Sequence, residues 1–187
     1  EGLTAAVARL RDAFGGGPDV VIANAGVAHF ARAEQLSAEE FARVLDINVN
    51  GVVRTITAAL PHMLAAGQGH IVGVASPAGF RGLPRSGSYG ASKAALTTFL
   101  ESLRVEIAAQ GITVTTIQPG FVRTAMTAQN AFPMPFLLEP DDAARRIVRA
   151  IERGCREVVF PWPLAVLMAV VRRLPNALYD TVARHTM

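Results

Sequence analysis

Tyr89 stands four residues before Lys93 in the stretch SYGASKAAL, and Lys93 is the only lysine in a chain with 18 lysines and arginines. Residues four apart share a helix face, so a helical stretch here sets a phenol beside an ammonium. A tyrosine hydroxyl ionises near pH 10 and is a poor acid-base catalyst at neutral pH. A neighbouring ammonium favours the phenolate and lowers that value. Taken alone, the pair reads more readily as two surface side chains. Ser76, at the end of the apolar stretch HIVGVAS and thirteen residues before Tyr89, changes that reading. It can bring a second hydroxyl to the same substrate oxygen.

Such a trio needs elements that deliver it to one place. LTAAVARLRDAF has helical periodicity and ends in the turn GGGP. DVVIANAG is a short continuous apolar run, as expected of a strand buried on both faces. Ser37 reads as a helix N-cap with Glu40 at the capping-box position. The next helical stretch carries Pro61, which predicts a kink. HIVGVAS is a second strand. SYGASKAALTTFLESLRVEIAAQG is a long helix with Leu96, Phe99, Leu100, Leu103 and Ile107 on one stripe and Gly111 as its stop. ITVTTIQPG gives a third strand. Pro140, Asp141 and Asp142 open another helix, and REVVFP gives a fourth strand. This alternation predicts an α/β fold with a doubly wound parallel sheet. In open sheets of that kind, ligands bind outside the carboxyl ends of the strands. Three successive strand ends carry Asn24 to Gly26, then Ser76, then Pro119 and Gly120. Together they locate a ligand crevice.

Length and composition narrow the classes. The 187 residues suit one domain with a substantial core, and 51% hydrophobic residues argue against disorder. The net charge of +3 comes from arginines scattered over helices, with no basic stripe interleaved with aromatics, which argues against nucleic acid. Cys155 is the one cysteine and has no partner for a disulfide or a metal-ligand pattern, which favours a reducing, cytoplasmic setting. His29, His62, His70 and His185 have no metal-site spacing and read as structurally incidental. No metal is expected. The longest apolar run, WPLAVLMAVV, is too short to span a bilayer.

From about residue 1 to residue 160 the chain resembles the short-chain dehydrogenase/reductase family. The resemblance rests on ANAG, DINVNG, IVGVASPAG, YGASK and PGFVRT, which follow one another in that order. It implies a Rossmann-like fold and an NAD- or NADP-dependent oxidoreductase acting on a small-molecule secondary alcohol or ketone. By the same resemblance Tyr89 is the general acid or base, and Lys93 holds the nicotinamide ribose and lowers the tyrosine's pKa. Ser76 steadies the substrate oxygen, and Asn48 holds a water in the proton relay. Asn50 is the alternative to Asn48, but N-x-x-G running into Gly51 favours Asn48. Asn24, Ala25 and Gly26 line the adenosine side of the cofactor. Pro119, Gly120, Val122 and Thr124 cradle the nicotinamide end, together with Tyr89 and Lys93. A homodimer or homotetramer is implied, through the helices after Gly51 and after Ser88, with Phe99 and Leu103 at the contact. The loop TAMTAQNAFPMPFLL, with Gln129 and Asn130, is similar to the family's substrate lid. Its apolar content fits an apolar substrate and a lid packed on the core equally well.

The family's glycine-rich phosphate turn is absent. GGGP precedes a strand, whereas the phosphate-binding turn must follow one and open a helix. The expectation is therefore a carboxyl-terminal portion lacking the first βαβ units, about 60 residues at roughly 30 per unit. The residue that separates NAD from NADP falls outside the sequence for the same reason. Residues 1–161 then form a partial catalytic domain, and 162–187 an apolar helical tail packed on it. For that tail, burial over the cleft comes first, an oligomer contact second and a membrane-surface helix third. The rival to an enzyme is a non-catalytic fragment or interaction module that binds no dinucleotide.

Overall fold

Helix and strand alternate along the chain as the apolar periodicity predicts. The computed structural model describes residues 2–130 and 132–184. His185, the end of the tail, Ala131 and the side chain of Gln129 lie outside the described residues. In chain order the main elements are α1 (Gly2–Phe14), β1 (Val20–Ala23), α2 (Ala38–Leu45), α3 (Gly51–Ala66) and β2 (Gly69–Val74). They continue with α4 (Gly87–Glu106), β3 (Ile112–Pro119), α5 (Pro140–Glu152), β4 (Glu157–Phe160), α6 (Trp162–Arg173) and α7 (Asn176–Arg184). The four strands lie in the order β1-β2-β3-β4, and every neighbouring pair is parallel. This is the Rossmann-like α/β sheet with helices on both faces.

Strand alternation divides the core in two. On one face Ile71, Ala75, Ile112 and Val114 meet Val52, Ile56 and Met63 of α3 and Leu96, Leu100 and Leu103 of α4. On the other face Val72, Ile117 and Phe160 meet Ala143 and Ala150 of α5. Each large side chain buried this way contributes about 1.5–3 kcal/mol. The α4 stripe is thus accounted for by the core, with Phe99 packed at its margin. Leu103 is buried in this cluster and Phe99 is partly buried at its margin.

Two further expectations are corrected. β1 is not buried on both faces. Val20 and Ile22 are 45% and 51% exposed, because they point to the α5 side of the sheet and α5 packs on β3, two strands away. Ser37 does cap α2, its hydroxyl accepting from the Glu40 amide. Only this half of the capping box forms, since the Glu40 carboxylate accepts from Arg43 instead. α3 carries Pro61 inside its Gly51–Ala66 span, and a π-helical turn over Asp46–Asn50 leads into it.

Candidate active site

Parallel strands put their carboxyl ends on one edge, and the candidate residues follow from that. Asn24, Ala25 and Gly26 continue from β1, Ser76 follows β2 by two residues, and Pro119 ends β3. α4 begins at Gly87, so Tyr89 and Lys93 occupy its first two turns. Ser76 caps a short 3-10 turn, Pro77–Gly79, by accepting from the Ala78 amide at 3.2 Å. That turn lies directly on α4. A Cβ on Gly79 would sit 2.6 Å from the Ala94 nitrogen, so only glycine permits the approach. The contact holds Ser76 near Tyr89, where its hydroxyl acts on the phenol.

Lys93 is 4% exposed. Its Nζ donates to the Val74 carbonyl at 2.8 Å and lies 5.7 Å from the centre of the Tyr89 ring. Burial strips water from the ammonium and pushes the lysine down to about 8. Burial also acts on the Tyr89 phenol, raising it above its ordinary value, while the Ser76 hydroxyl works the other way. The expected lowering of Tyr89 by Lys93 is therefore corrected. The ammonium is committed to Val74, and desolvation dominates at the hydroxyl.

Asn48 is fully buried in the π-helical turn. Its Oδ1 accepts from the Val27 amide at 2.8 Å, and its Nδ2 donates to the Val27 carbonyl and to Ser92 Oγ, both at 2.9 Å. Both amide protons are spent, so this side chain pins the loop after β1 to α4 and has no donor left for a water. Ser92 in turn donates to the Tyr89 carbonyl at 2.7 Å. Asn50 lies on the surface, bonded to Asp46. Gly26 belongs to the same junction: a Cβ there would lie 3.3 Å from Asn48 Oδ1 and 3.5 Å from Lys93 Nζ.

The loop after β3 is placed less simply. The Gly120 amide donates to the Phe160 carbonyl, and a Cβ at Gly120 would collide with Leu164 of α6 at 2.3 Å. Val122 bridges to Leu138, and Thr124 accepts and donates within a turn closed by Thr127. The Thr127 hydroxyl donates to the Val122 carbonyl at 2.6 Å. Asn24, Ala25 and Thr124 are exposed. Two histidines have structural partners: His70 Nε2 meets Thr115 Oγ1 at 2.7 Å, and His29 lies beside Glu40. Among the described residues no group of three His, Cys, Asp or Glu is placed to hold a metal ion, and no helix is long and apolar enough to cross a membrane.

Several site residues were missed by sequence reasoning. Ser92 had a signal, since it lies one turn from Tyr89 on the same helix. Ser88, which donates to the His29 carbonyl, and Gly79 had none. Phe30, Phe121 and Phe132 also gather here. Phe30 lies 6.0 Å from Tyr89 between ring centres, and Phe132 lies 5.6 Å from Phe30 and 6.1 Å from Phe121.

A parallel Rossmann-like sheet with a hydroxyl, a phenol and a buried ammonium at its carboxyl edge defines the class of α/β oxidoreductases. The sequence matches the family model described as short chain dehydrogenase over residues 1–133. It is 49% identical over 176 residues to an uncharacterized oxidoreductase of Myxococcus xanthus (strain DK1622), covering 94% of this chain and 70% of that protein. An uncharacterized oxidoreductase of Staphylococcus aureus (strain MW2) is 37% identical over 136 residues, with 73% of this chain and 59% of that protein covered. Among solved structures, an alcohol dehydrogenase from the archaeon Thermococcus sibiricus, complexed with 5-hydroxy-NADP, superimposes with a TM-score of 0.71. The two are 28% identical, over 84% of this chain and 68% of that one. The chain belongs to the short-chain dehydrogenase/reductase family.

Proposed function

We propose that this site interconverts a secondary alcohol and a ketone by hydride transfer, with NAD or NADP as hydride carrier and Tyr89 as general acid and base. The observation that carries the reading is the buried ammonium of Lys93 beside Tyr89, with the Ser76 hydroxyl near enough to act on the phenol. A desolvated lysine in a fold of this kind is costly unless a ligand uses it.

The residues present fit the nicotinamide half of such a cofactor. Gly26 carries no side chain where one would crowd Lys93 Nζ, so the ammonium stays open to the loop after β1. Lys93 would hold the ribose hydroxyls there. Asn24, Ala25 and Gly26 would line the adenosine side, and Pro119, Gly120, Val122 and Thr124 the nicotinamide end. The complex of the archaeal relative with 5-hydroxy-NADP supports a nicotinamide dinucleotide as the cofactor class. When bound, the nicotinamide supplies a hydride to the carbonyl carbon or accepts one from the alcohol carbon.

The chain's own residues handle the proton. In ketone reduction the Tyr89 hydroxyl gives its proton to the carbonyl oxygen, and the Ser76 hydroxyl donates a hydrogen bond to the same oxygen. Burial keeps the phenol protonated at neutral pH, which is the state this direction needs. In alcohol oxidation Tyr89 starts as the phenolate, takes the proton from the alcohol hydroxyl and ends as the neutral phenol. Asn48 acts as a positioning residue through Val27 and Ser92. By the family resemblance the enzyme assembles as a homodimer or homotetramer through α3 and α4.

Steady-state turnover and cofactor titration of the purified enzyme test the proposal. Tyr89→Phe is expected to lose about 10²- to 10⁴-fold in turnover while still binding cofactor. Lys93→Arg is expected to lose both, because the planar guanidinium does not fit the space of a compact ammonium. Near-normal turnover in folded Tyr89→Phe would sink the proposal.

A further inference from the structure

Phe30 lies against the Tyr89 ring and begins a run of ring contacts through Phe132 to Phe121, three phenylalanines from separate stretches of chain. Phe30 comes from the loop after β1, and Phe121 from the loop after β3. Phe132 comes from the lid and lies within 6.1 Å of both, ring centre to ring centre. Two of the three are fixed by their backbones. Next to Phe30, the Ala31 amide donates to the Arg85 carbonyl and Ser88 Oγ donates to the His29 carbonyl. The Leu138 amide donates to the Phe121 carbonyl, and its neighbour Gly120 donates to Phe160. Phe132 spans the two fixed rings from the one segment of the three that belongs to the lid.

Packing of the lid onto the core does not explain these rings. Phe30 and Phe132 are 40% and 38% exposed, and neither belongs to a core cluster. Their ring planes cross at 76°, and Phe30 is tilted 54° to Tyr89. Tilted and edge-to-face rings leave edges and faces free for a further flat group. At the Tyr89 end of this run stand two hydroxyls, Ser76 and Tyr89, suited to one substrate oxygen. A carbonyl oxygen held at these hydroxyls would place its substituent within reach of Phe30.

We infer that the substrate is a ketone or secondary alcohol bearing an aryl group on the reacting carbon, with Phe30, Phe121 and Phe132 selecting that group. The inference rests on the oxidoreductase reading above and adds the substrate class. Each ring contact contributes roughly a two- to tenfold preference.

The test compares acetophenone with acetone as substrates of the purified enzyme, in wild type, Phe30→Ala and Phe132→Ala. The readout is the ratio of kcat/KM for the two ketones. Wild type is expected to favour acetophenone, and each variant to lower the ratio about tenfold through the KM for acetophenone. A wild-type ratio near one, or a ratio unchanged in variants with normal circular dichroism, would overturn the inference. If wild type reduces neither ketone, calorimetric titration with 1-phenylethanol separates the two failures. Binding that weakens in both variants keeps the aryl site and removes the assigned reaction, whereas no binding removes the aryl site.

Discussion

At the scale of single residues, the solitary lysine is the clearest case of function set against stability. Lys93 donates to one backbone carbonyl and is otherwise enclosed, so its charge is held at a cost. A fall from an ordinary 10.5 to about 8 corresponds to on the order of 3 kcal/mol. The sign follows from the direction. Below pH 8 the folded protein carries a desolvated ammonium that the unfolded chain would solvate freely. Between about pH 8 and 10.5 the folded protein has lost that proton and the unfolded chain has not, so stability gained from Lys93 rises with pH across this window. Lys93→Met, which fills the space without charge, is therefore expected to be more stable than wild type at pH 7. Its advantage should shrink between pH 8 and 10.5. Urea denaturation of both proteins at pH 7, 9 and 10 reads this directly, and a constant difference would show that the lysine is not strained by burial. The Tyr89–Lys93 spacing was legible in the sequence because four residues is one helical turn. The direction of the tyrosine shift was not, because it depends on how deeply the hydroxyl is buried and on where the ammonium is aimed.

At the scale of elements, the tail shows what patterning leaves open. Its apolar residues were compatible with burial, association or a membrane surface, and the structure divides them between two helices. Leu164 and Met168 of α6 are buried, while Trp162 is 73% exposed. Periodicity marked the helix, yet the contact that fixes its far end comes from a residue with no sequence signal. Arg81, in the loop between Ser76 and Tyr89, donates to the Leu174 carbonyl at 2.6 Å and to Asn176 Oδ1 at 2.8 Å. It also lies 4.2 Å from the centre of the Tyr179 ring, and the Tyr179 hydroxyl donates to the Gly82 carbonyl. A guanidinium at a helix C-terminus satisfies free carbonyls and complements the dipole, and its stacking on an aromatic adds to this. Arg81→Ala is expected to loosen α6 and α7 by about 1–3 kcal/mol while leaving the α3 and α4 core intact. Hydrogen exchange should then quicken in residues 162–184 and stay unchanged in β2 and α4. Unchanged protection of the tail would mean that Leu164 and Met168 hold it unaided. The π-helical turn at Asn48 was hidden for a similar reason, since a one-residue insertion in the helix ladder leaves the apolar pattern almost unmoved.

At the scale of the whole molecule, the helices proposed for assembly have already spent their largest side chains on the core. Leu96, Leu100 and Leu103 lie under α4, and Phe99 packs at the edge of the same cluster. What α4 turns outward is small: Ala91, Ala95, Thr98 and Ser102 are exposed, with Val105 following at the end of the row. Small side chains let a second helix approach closely, so this row suits a helix from another copy better than Phe99 does. An arginine at Thr98 would force a charged side chain into such a contact without touching the core. Thr98→Arg is therefore expected to give folded monomers in sedimentation, whereas Phe99→Glu should destabilise the fold before it changes the assembly. The two variants separate the outer row from the inner stripe. If Thr98→Arg sediments as the wild-type oligomer does, α4 is not the contact. The exposed side of β1, with Val20 and Ile22, then becomes the surface to probe, because those side chains are the apolar part of the sheet that no described helix covers.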